Sequence, residues 1–272
     1  MKLGKSRIHL LIMLFAVSSL LVHVPSDAFA ADTWTAASTT NVGVNNMHGV
    51  SMSDANNGVA VGATGTIVYT TNGGDTWTAA ATTNVGTTTL TVVSMSDANN
   101  GVAVGAGGTI VYTSDGGDTW TIPTTTNVGT RLMKDVSMSD ASNGVAVGDS
   151  GTIVYTTNGG DTWTAAATTN VGITVMRGVS MSDASNGVAV GGSGTIVYTS
   201  DGGDTWTIPT TTNAGSANVN DVSMSDANNG VAVGAGGTIV YTSDGGDTWT
   251  IPTTTSVPVQ QVWGVSMSDA SN

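Results

Sequence analysis

Six tryptophans, Trp34, Trp77, Trp120, Trp163, Trp206 and Trp249, are spaced by 43 residues without insertion or deletion. A spacing this regular means one supersecondary unit copied in tandem. The rest of the chain keeps the same clock. Val-Ser-Met-Ser-Asp recurs with its Val at positions 50, 93, 136, 179, 222 and 265, and Gly-Thr-Ile-Val-Tyr ends at Tyr69, Tyr112, Tyr155, Tyr198 and Tyr241. The fold must therefore be one that repeats, each unit covering the apolar face of its neighbour.

What the unit builds follows from its residues. Every acid is Asp, and Thr, Val, Gly, Asn and Ser dominate, a set that favours strands and tight turns over helices. One copy contains four β-like runs: Leu90 to Ser96, Val102 to Gly105, Thr109 to Thr113 and Thr119 to Ile122. Turn chemistry separates them at Asn100-Gly101, Ala106-Gly107-Gly108 and Ser114 to Asp118. Pro123, Pro209 and Pro252 follow the fourth run, which places that strand at a sheet edge. Four antiparallel strands per 43-residue unit predict an all-β fold, a β-propeller of four-stranded blades. A β-solenoid would use shorter coils and fewer hairpins. The repeated Trp and Tyr read as core aromatics clamping blade against blade, a Trp that buries ~200 Å² gaining roughly 5 kcal/mol at most. An aromatic shelf for sugars is the alternative reading of the same side chains.

Thr113-Ser114-Asp115-Gly116-Gly117-Asp118-Thr119-Trp120 resembles the Asp-box, or bacterial neuraminidase repeat. Five complete copies run 70–77, 113–120, 156–163, 199–206 and 242–249, and Asp32-Thr33-Trp34 is the tail of a sixth. With the Gly-Val-Ala-Val-Gly and Gly-Thr-Ile-Val-Tyr-Thr strands, the unit is most similar to repeats of the photosystem II stability and assembly factor group. That resemblance implies a propeller that binds a partner protein during assembly. The box acid itself reads as structural. It is Asn72 and Asn158 in two copies and Asp115, Asp201 and Asp244 in three, and an Asn oxygen can close the turn but cannot serve as acid, nucleophile or strong cation ligand. The structural set is thus Asn72, Trp77, Asp115, Trp120, Asn158, Trp163, Asp201, Trp206, Asp244 and Trp249.

Residues 1–30 have a different composition. Lys2, Lys5 and Arg7 precede an apolar run from Ile8 to Val24 and the small-residue site Ala28-Phe29-Ala30, the pattern of a cleavable export signal. Residues 31–272 are then the propeller, with five complete boxes and partial units at both ends. An exported chain is expected in the periplasm, outside the cell or on its surface, with no membrane insertion once the signal is removed. The chain starts in the fourth strand of a unit and stops where a second strand is due. It is expected to be a C-terminal truncation of a six- or seven-bladed protein, since as written it would leave strand edges free to associate.

Charge and chemistry exclude several functions. A formal charge of −13 repels nucleic acid. There is no Cys, no Glu and, past the signal, one histidine, His48, so zinc sites, Ser-His-Asp catalysis and the Glu-assisted Tyr of sialidases are not available. Paired carboxylates remain; Asp135, Asp149 and Asp221 are the acids outside the copied motifs, and Asp135 and Asp221 share one repeat position. No cofactor, metal or catalytic residue is assigned. A secreted sialidase- or glycoside-hydrolase-like enzyme and a cell-surface adhesin or structural repeat are the alternative classes.

One block escapes copying, the six residues before each Val-Ser-Met-Ser-Asp. Its fourth residue is always apolar (Met47, Leu90, Met133, Met176, Val219, Val262) and its fifth varies freely: His48, Thr91, Lys134, Arg177, Asn220, Trp263. The block joins the outer strand of one blade to the inner strand of the next. A fixed anchor beside a free position is what a ring of reading residues on a rigid scaffold requires. His48, Thr91, Arg131, Lys134, Arg177, Asn220 and Trp263 are accordingly the candidate ligand residues, for a protein or glycan partner. Neutral drift in tolerant loops is the competing account of the same variation.

Overall fold

The computed structural model describes residues 21–23, 34–38, 40–253 and 260–269. Most of the expected export signal and the last residues of the chain lie outside these. Of residues 1–30 only Leu21–His23 is described, paired antiparallel with Trp34–Ala36. Five antiparallel meanders follow. Their inner strands are Met47–Met52, Leu90–Met95, Met133–Met138, Met176–Met181 and Val219–Met224. Each continues through a Gly-Val-Ala-Val-Gly second strand, such as Gly101–Gly105, and an Ile-Val-Tyr-Thr third strand, such as Ile110–Thr113. The molecule is a β-propeller, and these are blades one to five.

The hairpin between second and third strands shows why glycine recurs there. Thr64 and Gly65 both sit in the left-handed region (φ 54° and 70°), and a Cβ on Gly65 would stand 2.1 Å from the carbonyl oxygen of Gly86. Gly108, Gly151 and Gly194 face the same neighbour in their own copies. Only glycine meets both conditions, so the turn also fixes how closely the linker to the next blade approaches.

The fourth strand is shorter than the sequence suggests. In blades one and three, Thr78–Ala79 and Thr164–Ala165 pair with the third strand, and the N–H groups of Ala80 and Ala166 donate to Ile67 and Ile153 at 3.1 Å. Blades two, four and five carry Pro123, Pro209 and Pro252 at that place. Without the N–H, pairing contracts to the single bridges Tyr112–Thr121, Tyr198–Thr207 and Tyr241–Thr250. The expected outer strand over 119–122 is corrected to one bridged residue.

Three devices bind blade to blade. The first is apolar: Val59, Val61 and Ile67 of blade one pack with Leu90, Val93, Met95, Ala103, Val111 and Trp120 of blade two, and the same grouping recurs around the next junctions. Trp120 is buried there with its indole N–H donating to Gly117 of its own box at 2.9 Å. The second is the serine of Val-Ser-Met: Ser51, Ser94, Ser137 and Ser180 Oγ each accept the N–H of a methionine on the next inner strand at 3.0 Å. Inner strands are neighbours without a ladder between them, so the hydroxyl supplies the bond that backbone pairing cannot. The third is the linker, whose Thr82 pairs in parallel with Thr119 of the next box while Asn84 Nδ2 donates to Trp120 O.

Blade one shows what the preceding blade contributes. Val93 and Met95 are 5% and 8% exposed, whereas Val50 and Met52, at the same positions of blade one, are 49% and 42% exposed. Burial of the inner strand is a property of the junction and not of the blade.

Candidate functional site

The variable residues are set by a β-bulge. In blade three Met133 pairs with Gly148 and Asp135 with Val147, so Lys134 is an extra residue in the inner strand. The shift recurs at His48, Thr91, Arg177 and Asn220. Position five of the uncopied block therefore lies inside the inner strand, as the run from Leu90 implies for Thr91, although the block as a whole joins two blades. A bulge releases that residue from the alternation of the pleat and re-aims its side chain.

The result is one cavity of about 290 Å³ lined by Thr91, Leu132, Lys134, Arg177, Asn220 and Trp263. Five of the six position-five residues thus converge from successive inner strands, Trp263 arriving on the stretch 260–269 that runs beside blade five. That stretch is held by Val262 N–H to Gly234 O at 3.0 Å and Met267 N–H to Ser223 Oγ at 3.1 Å. Two candidates are elsewhere. His48 is exposed and outside the cavity, and Arg131 is exposed with a guanidinium nitrogen 3.4 Å from Val128 O. Leu132 was not anticipated, although it is the largest apolar side chain at its place in the block.

Within the cavity the groups differ in what they have left to offer. Thr91 Oγ1 lies 2.8 Å from Met133 O and 3.1 Å from Val104 O, tying one inner strand to the next, and Asn220 Nδ2 donates to Val262 O at 2.8 Å, tying the fifth inner strand to the stretch beside it. Lys134 pairs with Asp149 at 3.4 Å. Asp149 is the one charged residue among Ala63, Ala106, Asp149, Gly192 and Ala235, its equivalents in the other hairpins. Arg177 Nε and Asn220 Oδ1 are buried and have no hydrogen-bond partner among the described residues. Trp263 is 66% exposed at the rim.

Position six carries the two acids singled out by sequence. Asp135 accepts the N–H of Val136 at 2.9 Å and of Val179, on the next inner strand, at 2.8 Å. Asp221 does the same with Val222 at 2.9 Å and Val265 at 2.8 Å. Burial between the strands pushes the Asp135 carboxyl up to about 7; the charge of Asp221 adds to this while the two N–H bonds oppose it. Burial likewise raises Asp221. Both carboxylates spend their oxygens on backbone donors, as interblade ties.

The box turns close as their residue types require. Asp115 accepts from the Thr119 N–H and the Thr113 hydroxyl, and Asn72 makes the equivalent bonds with Thr76 and Thr70 through its amide oxygen. The hydrogen bonds from Thr119 and Thr113 hold the Asp115 carboxyl below its usual value against the cost of burying it.

Repeating meanders, box turns and a convergent mouth define an Asp-box β-propeller. The family model described as photosynthesis system II assembly factor YCF48 matches residues 27–174, 121–208 and 165–239, and the chain belongs to that family. Among solved structures, YCF48 from Cyanidioschyzon merolae is 20% identical with a TM-score of 0.50, over 77% of this chain and 85% of that one. A structure of YCF48 bound to D1 peptide is 20% identical with a TM-score of 0.47, over 86% and 88%. The Niastella koreensis GH74 enzyme is 20% identical with a TM-score of 0.59, over 85% of this chain but 37% of that one, a likeness of fold alone. A sequence search of curated proteins finds no match.

Proposed function

We propose that this chain is an exported, non-enzymatic propeller that seats a segment of a partner protein in the mouth formed by Thr91, Leu132, Lys134, Arg177, Asn220 and Trp263. The observation that carries the reading is the convergence of five position-five residues, the freely varying ones, on one cavity. Membership of an assembly-factor family supports a protein over a glycan as the partner. Thr91 and the Asn220 Nδ2 are committed to interblade bonds, so recognition falls mainly to Arg177, Trp263, the Asn220 Oδ1 and the Lys134–Asp149 pair.

The test is capture of partners from an extract of the source cell by the protein and by a triple variant, Lys134→Thr, Arg177→Thr and Trp263→Thr. Threonine already stands at this position in blade two, so the variant should fold. Specific partners should be lost from the variant and kept by His48→Thr, which lies outside the cavity. Equal capture by all three proteins overturns the reading. A hydrolase would instead turn over aryl-glycosides and lose that turnover on Asp135→Asn or Asp221→Asn, whereas the carboxylate roles given above predict no turnover to lose.

A further inference from the structure

Resting on the mouth as the binding site, we infer that the bound segment presents a neutral carboxamide, the side chain of glutamine or asparagine, to Arg177 and Asn220. These two residues occupy the same bulge position on adjacent inner strands and line the same cavity. Each carries a buried polar atom without a partner among the described residues, a donor at Arg177 Nε and an acceptor at Asn220 Oδ1. The orientation of the amide is fixed, because Asn220 Nδ2 is already engaged with Val262 O. Asn220 is 8% exposed, so its free oxygen is withdrawn from the open surface and is met by a group that enters the cavity. Leaving such groups unpaired is costly, and a ligand that pairs both recovers that cost.

The two orphans together specify what pairs with them. A group must accept from a guanidinium N–H and donate to an amide oxygen. A carboxylate meets the first demand and fails the second, setting oxygen against oxygen at Asn220. An ammonium fails the first. A hydroxyl must meet both through a single oxygen, and a trans peptide group points its C=O and N–H in opposite directions; a carboxamide meets both with separate atoms held in one plane, in a cavity that Trp263 also lines. Lys134 is compensated by Asp149, leaving Arg177 the one cavity cation with no ion pair among the described residues. That charge alone would favour a carboxylate, so the free acceptor at Asn220 Oδ1 is what selects the neutral amide.

The experiment reads Arg177 directly. The chain has three arginines, Arg7, Arg131 and Arg177, so the Nε–H region of a ¹⁵N–¹H spectrum is countable and Arg177→Lys assigns the signal. N-acetyl-glutamine methylamide should move that signal saturably. N-acetyl-glutamate methylamide should bind at least about 5-fold more weakly, the penalty of an unmet acceptor. Asn220→Thr, which keeps a hydroxyl donor for Val262 O and removes the amide oxygen, should abolish the preference. The inference is overturned if the glutamate probe binds as well or better, if neither probe moves the signal, or if methyl glucoside moves it at lower concentration. Any of these with capture still lost in the triple variant leaves the proposed function standing. Capture unaffected by the triple variant sinks that reading whatever the probes do.

Discussion

Residues at one repeat position carry different loads in this molecule. Position six is Gly49, Val92, Asp135, Gly178, Asp221 and Gly264 in turn, and where it is Asp the side chain bridges its inner strand to the chain beside it, the next inner strand for Asp135 and the stretch 260–269 for Asp221. Because the folded Asp135 titrates at about 7, above its ordinary 3.8, its contribution is full below the lower value and is lost as pH rises toward the higher. Urea unfolding should therefore show the wild type losing on the order of 2 kcal/mol relative to Asp135→Gly across that interval, a figure reduced for partial exposure. A pH-independent difference would remove the titration from the account. The tryptophans make the opposite case of a uniform load. Trp163 is fully buried with its N–H satisfied by Gly160, so Trp163→Ala should cost about 3–5 kcal/mol by the same measurement.

Elements differ in how much a lost hydrogen bond matters. The outermost strand of each blade is an edge, and three of the five blades already carry proline there at no cost to the blade's other three strands. Ala80→Pro should accordingly remove the bond to Ile67 and the short outer strand yet cost under about 1 kcal/mol, since the stiffer unfolded chain offsets part of the loss. Val102→Pro, in a central strand paired on both sides, should cost at least about 3 kcal/mol. Comparable costs for the two would mean that the outer strand is structurally central. The inner strand owes its special character to the bulge, which lets one residue leave the ladder without breaking it.

For the whole molecule, stability resides at junctions. Ser94 joins blade two to blade three and Ser180 joins blade four to blade five through equivalent bonds at 3.0 Å. Each serine-to-alanine change should cost about 1 kcal/mol, and the double variant should cost their sum, because the junctions share no partner. A marked departure from additivity would show that distant junctions communicate. The exposed Val50 and Met52 of blade one make the same point from the native state: an inner strand is sealed by its neighbour.

The period, the blade, the box turns and the core aromatics were legible in the chain itself, because each depends on contacts that recur at a fixed separation and so leave a repeated trace. The proline-shortened outer strands were half legible: Pro123 marked an edge, but only the missing N–H bond showed how little pairing remains. The variable block stood out as uncopied, yet its sequence could not separate His48 and Arg131, which the fold leaves outside, from Lys134, Arg177 and Trp263, which it gathers. That choice belongs to the tertiary structure. It depends on where each bulge aims a side chain and on which strands lie side by side across 43 residues of chain, and such distances leave no mark in local sequence.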